Sequence, residues 1–172
     1  LQHQAGHDSL TGVLNRRGLE ERLDRFFAHA RMADRHVMVL FCDLDRFKLV
    51  NDSLGHAAGD RLLMTTAERI STALPDTALL ARLGGDEFVA LLPEVIDERD
   101  AERVSARILE AMREPIFVGG QECFVTASVG IAVFPRDGTS VVDLMRNSDV
   151  AMYSVKAAGR NATCRMAPLA HL

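Results

Sequence analysis

Apolar positions along the chain change period in a regular order. Over residues 16–29, Leu19, Leu23, Phe26 and Phe27 recur at helical spacing. Residues 37–42 then form a continuous apolar run, the pattern of a strand buried on both faces. Helical spacing returns over residues 60–74, with Leu63, Ala67, Ile70 and Leu74 on one stripe. Two short apolar runs, 78–83 and 87–92, flank Gly84-Gly85, a pair that supplies the positive φ angles of a tight hairpin turn. Residues 97–112 predict a helix with Ala101, Val104, Ile108 and Met112 inward and acids in its first turn. Residues 124–134 alternate, with Val125, Ala127, Val129, Ile131 and Val133 on one face, which predicts a long half-buried strand. Residues 141–156 are helical again, with Gly159 as a stop, and a short last strand is expected over 162–166.

The predicted order is α-β-α-β-β-α-β-α. A hairpin in the middle and interleaved helices imply an α+β sandwich around a largely antiparallel sheet rather than a doubly wound parallel fold. No repeat, low-complexity run or linker divides the sequence, so residues 1–172 read as one domain. A chain of 172 residues buries roughly 70% of the surface its unfolded form exposes and needs no disulfide or metal staple. Cys42, Cys123 and Cys164 are widely spaced and odd in number, as expected of reduced thiols rather than a metal site. The longest apolar stretch, 37–42, is far too short to span a bilayer, and Leu1-Gln2-His3-Gln4 does not begin a signal peptide. The first residue is Leu rather than Met, so the chain is expected to be a fragment of a longer multidomain protein. The net charge of −4 argues against a nucleic acid polymer as ligand. It leaves room for a small phosphorylated ligand, which a few local charges can hold.

Four groups of residues could carry chemistry. Asp43-Leu44-Asp45 follows the buried run, and strand alternation sends both carboxylates to one face. Taken alone, the two acids could simply end the strand. Gly84-Gly85-Asp86-Glu87-Phe88 places two more acids at the hairpin. If the hairpin neighbours the 37–42 strand, Asp43, Asp86 and Glu87 converge, and a divalent cation relieves their repulsion. Lys48, Lys156 and Arg160 form a basic set, and Lys156 and Arg160 lie one helical turn apart. They read either as charges favouring the helix dipole or as a phosphate clamp. In the segment 51–60, Asn51 and Asp60 are an amide and a carboxylate able to read the edge of guanine, although Asp60 could equally be an N-cap. His56 reads as a turn residue.

Together these motifs resemble the GGDEF family of diguanylate cyclases over nearly the whole chain. The resemblance opens at Asp8-Ser9-Leu10-Thr11-Gly12-Val13-Leu14-Asn15-Arg16-Arg17. It runs through Asp43-Leu44-Asp45-Arg46-Phe47-Lys48, Asn51-Asp52, Gly55-His56, Gly59-Asp60 and the signature Arg82-Leu83-Gly84-Gly85-Asp86-Glu87-Phe88. Ser128-Val129-Gly130-Ile131-Ala132, Asp149-Val150-Ala151-Met152-Tyr153, Lys156 and Gly159-Arg160-Asn161 complete it. Each motif is weak alone; in this order and spacing they are specific.

The resemblance implies a fold similar to nucleotidyl cyclases and polymerase palms: a mostly antiparallel five-stranded sheet flanked by helices, with the signature on a β-hairpin. It implies condensation of two GTP into cyclic di-GMP and two pyrophosphates across an antiparallel homodimer. Two divalent ions, Mg²⁺ or Mn²⁺, are implied per site. By matching position, Asp43, Asp86 and the Leu44 carbonyl would be metal ligands, and Glu87 would bind the second metal or help activate the hydroxyl. Asn51 and Asp60 would recognise guanine. Lys48, Lys156 and Arg160 would hold phosphates, aided by backbone N–H groups around Arg46 and Phe47, and Gly84 and Gly85 would let the hairpin pass near the nucleotide.

One departure concerns the RxxD product-inhibition site of many family members. Here the corresponding segment is Pro75-Asp76-Thr77-Ala78, so no inhibition through that site is expected. The alternative reading is a catalytically silent GTP-binding module controlling an attached domain, such as an EAL phosphodiesterase; attached sensory domains are also implied. Use of GTP implies a cytoplasmic location, with the full-length protein free to carry a membrane anchor.

Overall fold

A computed structural model describes residues 5–165. Five helices and seven strands follow in the order α1 (Arg16–Ala33), β1 (His36–Leu44), α2 (Phe47–Leu54), α3 (His56–Ala73), β2 (Leu79–Gly84), β3 (Glu87–Val95), α4 (Arg99–Ala111), β4 (Ile116–Val118), β5 (Gln121–Cys123), β6 (Ala127–Phe134), α5 (Val141–Ala157) and β7 (Thr163–Arg165). The main sheet has five strands in the order β2-β3-β1-β6-β7. β1 pairs antiparallel with β3 and β6, β2 pairs antiparallel with β3, and only β7 joins in parallel. The α+β sandwich around a mostly antiparallel sheet is therefore as expected.

The side-chain alternation of β1 divides the core. Met38, Leu40, Cys42 and Leu44 face α3 and α4 and meet Leu62, Ile70, Val104 and Ile108. Val37, Val39 and Phe41 face α1 and α5 and meet Leu19, Leu23, Phe27, Leu144 and Met152. Asp43 continues this second set, so its carboxylate emerges on the α5 side of the sheet. β6 sits so close to α5 that a Cβ at Gly130 would lie 2.1 Å from the Met152 nitrogen. Helix ends follow local chemistry: Asn15 caps α1 by accepting from the Gly18 N–H, and Ser140 caps α5 by accepting from the Asp143 N–H.

Several expectations need correction. Residues 47–54, for which no element was expected, form the two-turn helix α2. Its partner α3 starts at His56, so Asp60 lies inside the helix and is not an N-cap. β6 starts at Ala127 and is buried on both faces, because α5 covers the side that was expected to be solvated. The hairpin β4–β5, absent from the expected order, turns at Gly119-Gly120. Gly84 pairs with Glu87 across the signature turn, so the tip is Gly85-Asp86 rather than Gly84-Gly85. The last strand appears as β7; Met166, at the end of its expected range, lies outside the described residues.

Candidate active site

The site forms where β1 ends beside the β2–β3 hairpin. Gly85 takes φ 51°, which lets the chain reverse in two residues and leaves Asp86 at the tip. The Leu44 N–H donates to the Asp86 carbonyl at 3.3 Å, tying the tip to the end of β1. Register then sets Asp43 directly across from Glu87. The Asp86 carboxyl group lies close enough to Asp43 to disfavour its charged form. Burial, then the hydrogen bond and charge of Asp86, push Asp43 up to about 7; Glu87 adds to the rise and Lys156 opposes it. Asp43 Oδ1 is buried without a hydrogen-bond partner.

Glu87 leans toward the crevice between α1 and α5. Burial first, then the charges of Asp149 and Asp86, raise its pKa, while Arg16 and Lys156 oppose the rise. A cavity of about 310 Å³ beside it is lined in part by Arg16, Arg146 and Asp149. Among the described residues no three His, Cys, Asp or Glu side chains close into a metal-holding group. Asp86 is the acid that acts most strongly on Asp43, and Glu87, across the strand pair from Asp43, adds its charge to the same corner. The Asp43–Asp86 pair fits a divalent cation: one buried oxygen lacks a partner, and burial and the neighbouring Asp86 disfavour the charge on Asp43.

Lys156, in the last turn of α5, reaches both acids of the first motif. Its Nζ lies 3.5 Å from Asp43 Oδ2 and 3.3 Å from Asp45 Oδ1. Asp45 is buried, which by itself raises a carboxyl pKa. Hydrogen bonds from the Thr126 and Ser128 hydroxyls, the Asn161 N–H and Lys156 outweigh that and leave it lowered. Arg160 is exposed just after α5, and Lys48 is exposed in the first turn of α2.

Asn51 and Asp60 stand on facing helices, α2 and α3. Asn51 Oδ1 is a buried acceptor without a partner. It is packed so tightly on α3 that a Cβ at Gly59 would fall 1.8 Å from it. Asp60, the next residue, is exposed. An orphan amide oxygen beside a solvent-facing carboxylate can accept from N–H groups on the polar edge of a planar base, and the amide NH2 can donate to it.

Two contacts escaped the sequence reading. Arg82 donates from Nη1 to Asp8 Oδ1 at 3.0 Å and from Nε to the Gly85 carbonyl at 2.9 Å. It thereby joins the opening segment to the signature turn. Asp45 was seen only as a companion of Asp43; its donors lie 81 to 116 residues away, beyond any local pattern.

A sequence model described as "Diguanylate cyclase, GGDEF domain" matches residues 5–162, and the chain belongs to this GGDEF family. It is 42% identical over 163 residues to diguanylate cyclase TpbB of Pseudomonas aeruginosa, covering 94% of this chain and 38% of that protein. It is 40% identical over 161 residues to cyclic di-GMP phosphodiesterase NbdA of the same species, covering 94% of this chain and 20% of that protein. The chain therefore spans well under half the length of these relatives. A solved structure of the TpbB (YfiN) GGDEF domain superposes with a TM-score of 0.91 at 40% identity, covering 94% of each chain. Among the described residues no helix is long and apolar enough to cross a membrane.

Proposed function

We propose that the chain is a diguanylate cyclase domain that condenses two GTP into cyclic di-GMP and two pyrophosphates. The carrying observation is the Asp43–Asp86 pair, with its partnerless buried oxygen and a carboxyl pushed up to about 7 beside Lys156. That is an arrangement prepared for a cation and a polyphosphate. In each half-reaction a ribose 3′ oxygen forms a bond to the α-phosphorus of the other GTP. The bond from that phosphorus to the bridging oxygen breaks, pyrophosphate leaves, and the hydroxyl proton is lost.

Asp43, Asp86 and the Leu44 carbonyl would hold divalent cation, two Mg²⁺ or Mn²⁺ per site, with Glu87 beside them. When bound, such ions lower the pKa of the attacking hydroxyl and neutralise charge on the polyphosphate. Glu87, raised above its ordinary range, can accept the hydroxyl proton or complete the cation site. Lys156, held beside the two acids, would turn its free N–H groups to phosphate. Arg160, Lys48 and the N–H groups of Arg46 and Phe47 at the start of α2 meet the remaining phosphate oxygens. The flexible-backbone pair Gly84 and Gly85 admits the nucleotide close to the turn, and Asn51 and Asp60 select guanine. Each chain supplies one half-site, so a homodimer brings two bound GTP together. Sensory or EAL domains attached elsewhere in a longer protein would control that encounter.

Incubation with GTP and Mg²⁺ or Mn²⁺, with products separated by chromatography, tests this. Cyclic di-GMP is expected, and Asp86→Ala and Glu87→Ala should abolish it. Saturable GTP binding without product at high chain concentration would favour a silent GTP-binding module instead. The 40% identity to part of a relative named as a phosphodiesterase is the observation behind that second reading.

A further inference from the structure

Asp45 has no part in the chemistry just proposed, yet it is held more completely than any other acid near the site. It is only 4% exposed. Its Oδ1 accepts from Ser128 Oγ at 2.7 Å and Lys156 Nζ at 3.3 Å. Its Oδ2 accepts from Thr126 Oγ1 at 2.6 Å and the Asn161 N–H at 3.1 Å. The four donors come from the start of β6, the end of α5 and the turn that follows α5. Asp45 itself lies between Asp43 and Arg46, at the junction of β1 and α2. One carboxylate therefore locks the end of β1 to the end of α5.

We infer that Asp45 is a positioning residue for the triphosphate, through Lys156 and the turn carrying Arg160; the inference rests on the GTP reading above. Two arguments support it. An ammonium with a single nearby carboxylate would settle on Asp43, where it competes with a cation. Asp45 shares Lys156 at a slightly shorter distance, so the ammonium stays between the two acids and keeps N–H capacity for phosphate. The second argument is backbone strain. Arg160 and Asn161 both sit in the left-handed region, at φ 68° and 49°. Each is a conformation that L residues adopt only at a cost in free energy. The Asn161 N–H to Asp45 and the Arg160 N–H to the Val155 carbonyl, at 2.9 Å, hold this turn in place. Without Asp45 the turn relaxes, and Arg160 loses its fixed direction while the guanine contacts of Asn51 and Asp60 are untouched.

The test uses 3′-deoxy-GTP and 3′-deoxy-GMP with Mg²⁺; both lack the attacking hydroxyl, so binding is read without turnover. The whole chain is compared with Asp45→Asn, Lys156→Ala and the double variant. Asp45→Asn should retain the wild-type circular dichroism and weaken the triphosphate about tenfold or more, the scale of a lost charged hydrogen bond. Monophosphate binding should weaken less than about threefold, because its recognition rests mainly on guanine. In the Lys156→Ala background the same change should add much less, since Asp45 acts partly through that lysine. Equal weakening of both nucleotides, unchanged triphosphate binding, or fully additive losses would overturn the inference. If Asp45→Asn does not fold, Thr126→Val and Ser128→Ala, each removing one donor, replace it with the same triphosphate-selective expectation and the same refutations. Failure of the wild-type chain to bind either nucleotide would instead overturn the GTP reading, and this inference with it.

Discussion

Replacing Asp86 with Asn should make the metal-free chain more stable while destroying its proposed activity. The Asp43 carboxyl is displaced from 3.8 to about 7 in the folded chain, with Asp86 the principal charged neighbour raising it. The folded state thus holds this proton more tightly than the unfolded state. That contribution favours folding at low pH and is lost as pH rises from about 4 through about 7. At pH 8 the loss is complete, nominally ~4 kcal/mol for an isolated unscreened site. Solvent at the exposed turn screens the repulsion, and about 1–2 kcal/mol is the expected cost. An Asn at position 86 carries no charge and can donate to Asp43 at any pH, so it removes the part of this cost that comes from Asp86 and offsets some of the larger part that comes from burial. For a chain of this size the gain corresponds to a rise in Tm of about 3–6 °C at pH 8. At pH 5 the difference should shrink, because wild-type Asp43 is protonated there. Calorimetry at both pH values, with and without Mg²⁺, measures it. Mg²⁺ should raise the wild-type Tm at pH 8 and leave the variant nearly unmoved. A variant Tm at or below wild type at pH 8 without metal would refute the reasoning.

Further predictions follow from single contacts. Gly59→Ala inserts a methyl 1.8 Å from Asn51 Oδ1 and 3.2 Å from Phe47 Cζ, so Asn51 must swing away. GTP affinity, read by calorimetric titration, should fall at least about tenfold, while stability barely changes because Ala is the better helix former by about 1 kcal/mol; unaltered GTP affinity would contradict the guanine assignment. Arg82→Ala removes the link between Asp8 and the Gly85 carbonyl in a pair whose side chains are 14% and 16% exposed. A loss of about 2–3 kcal/mol is expected in denaturant unfolding, since Asp8 is left half-buried without its partner; a change below about 0.5 kcal/mol would place the pair with ordinary surface bridges.

Legibility in the sequence followed range and length. β1 and α5 were readable because long apolar patterns need no partner to be seen, and the Gly84-Gly85 pair announced a hairpin. α2 was not, since Asn51, Asp52 and Ser53 are poor helix formers and only Phe47 is buried on it. It is helical because α3 packs beside it, a tertiary effect. The three-residue strands β4 and β5 are too short for a period to register. At the site, the meeting of Asp43 and Asp86 was legible from strand alternation and the hairpin. The approach of Glu87 to Asp149 was not, because it depends on where α5 lies over the sheet. The burial of Asp45 by Thr126, Ser128 and Asn161 required the whole sheet to be assembled.

The central claim is that the Asp43–Asp86 corner holds a cation and the triphosphate of a GTP whose base lies between α2 and α3. The most direct measurement is a crystal structure of the chain with 3′-deoxy-GTP and Mn²⁺, the metal located by anomalous scattering. The expected map has manganese against Asp43, Asp86 and the Leu44 carbonyl, guanine against Asn51 and Asp60, and phosphates within reach of Lys156 and Arg160. Manganese absent from that corner, or a nucleotide seated elsewhere with its phosphates out of reach of Lys156, would contradict it.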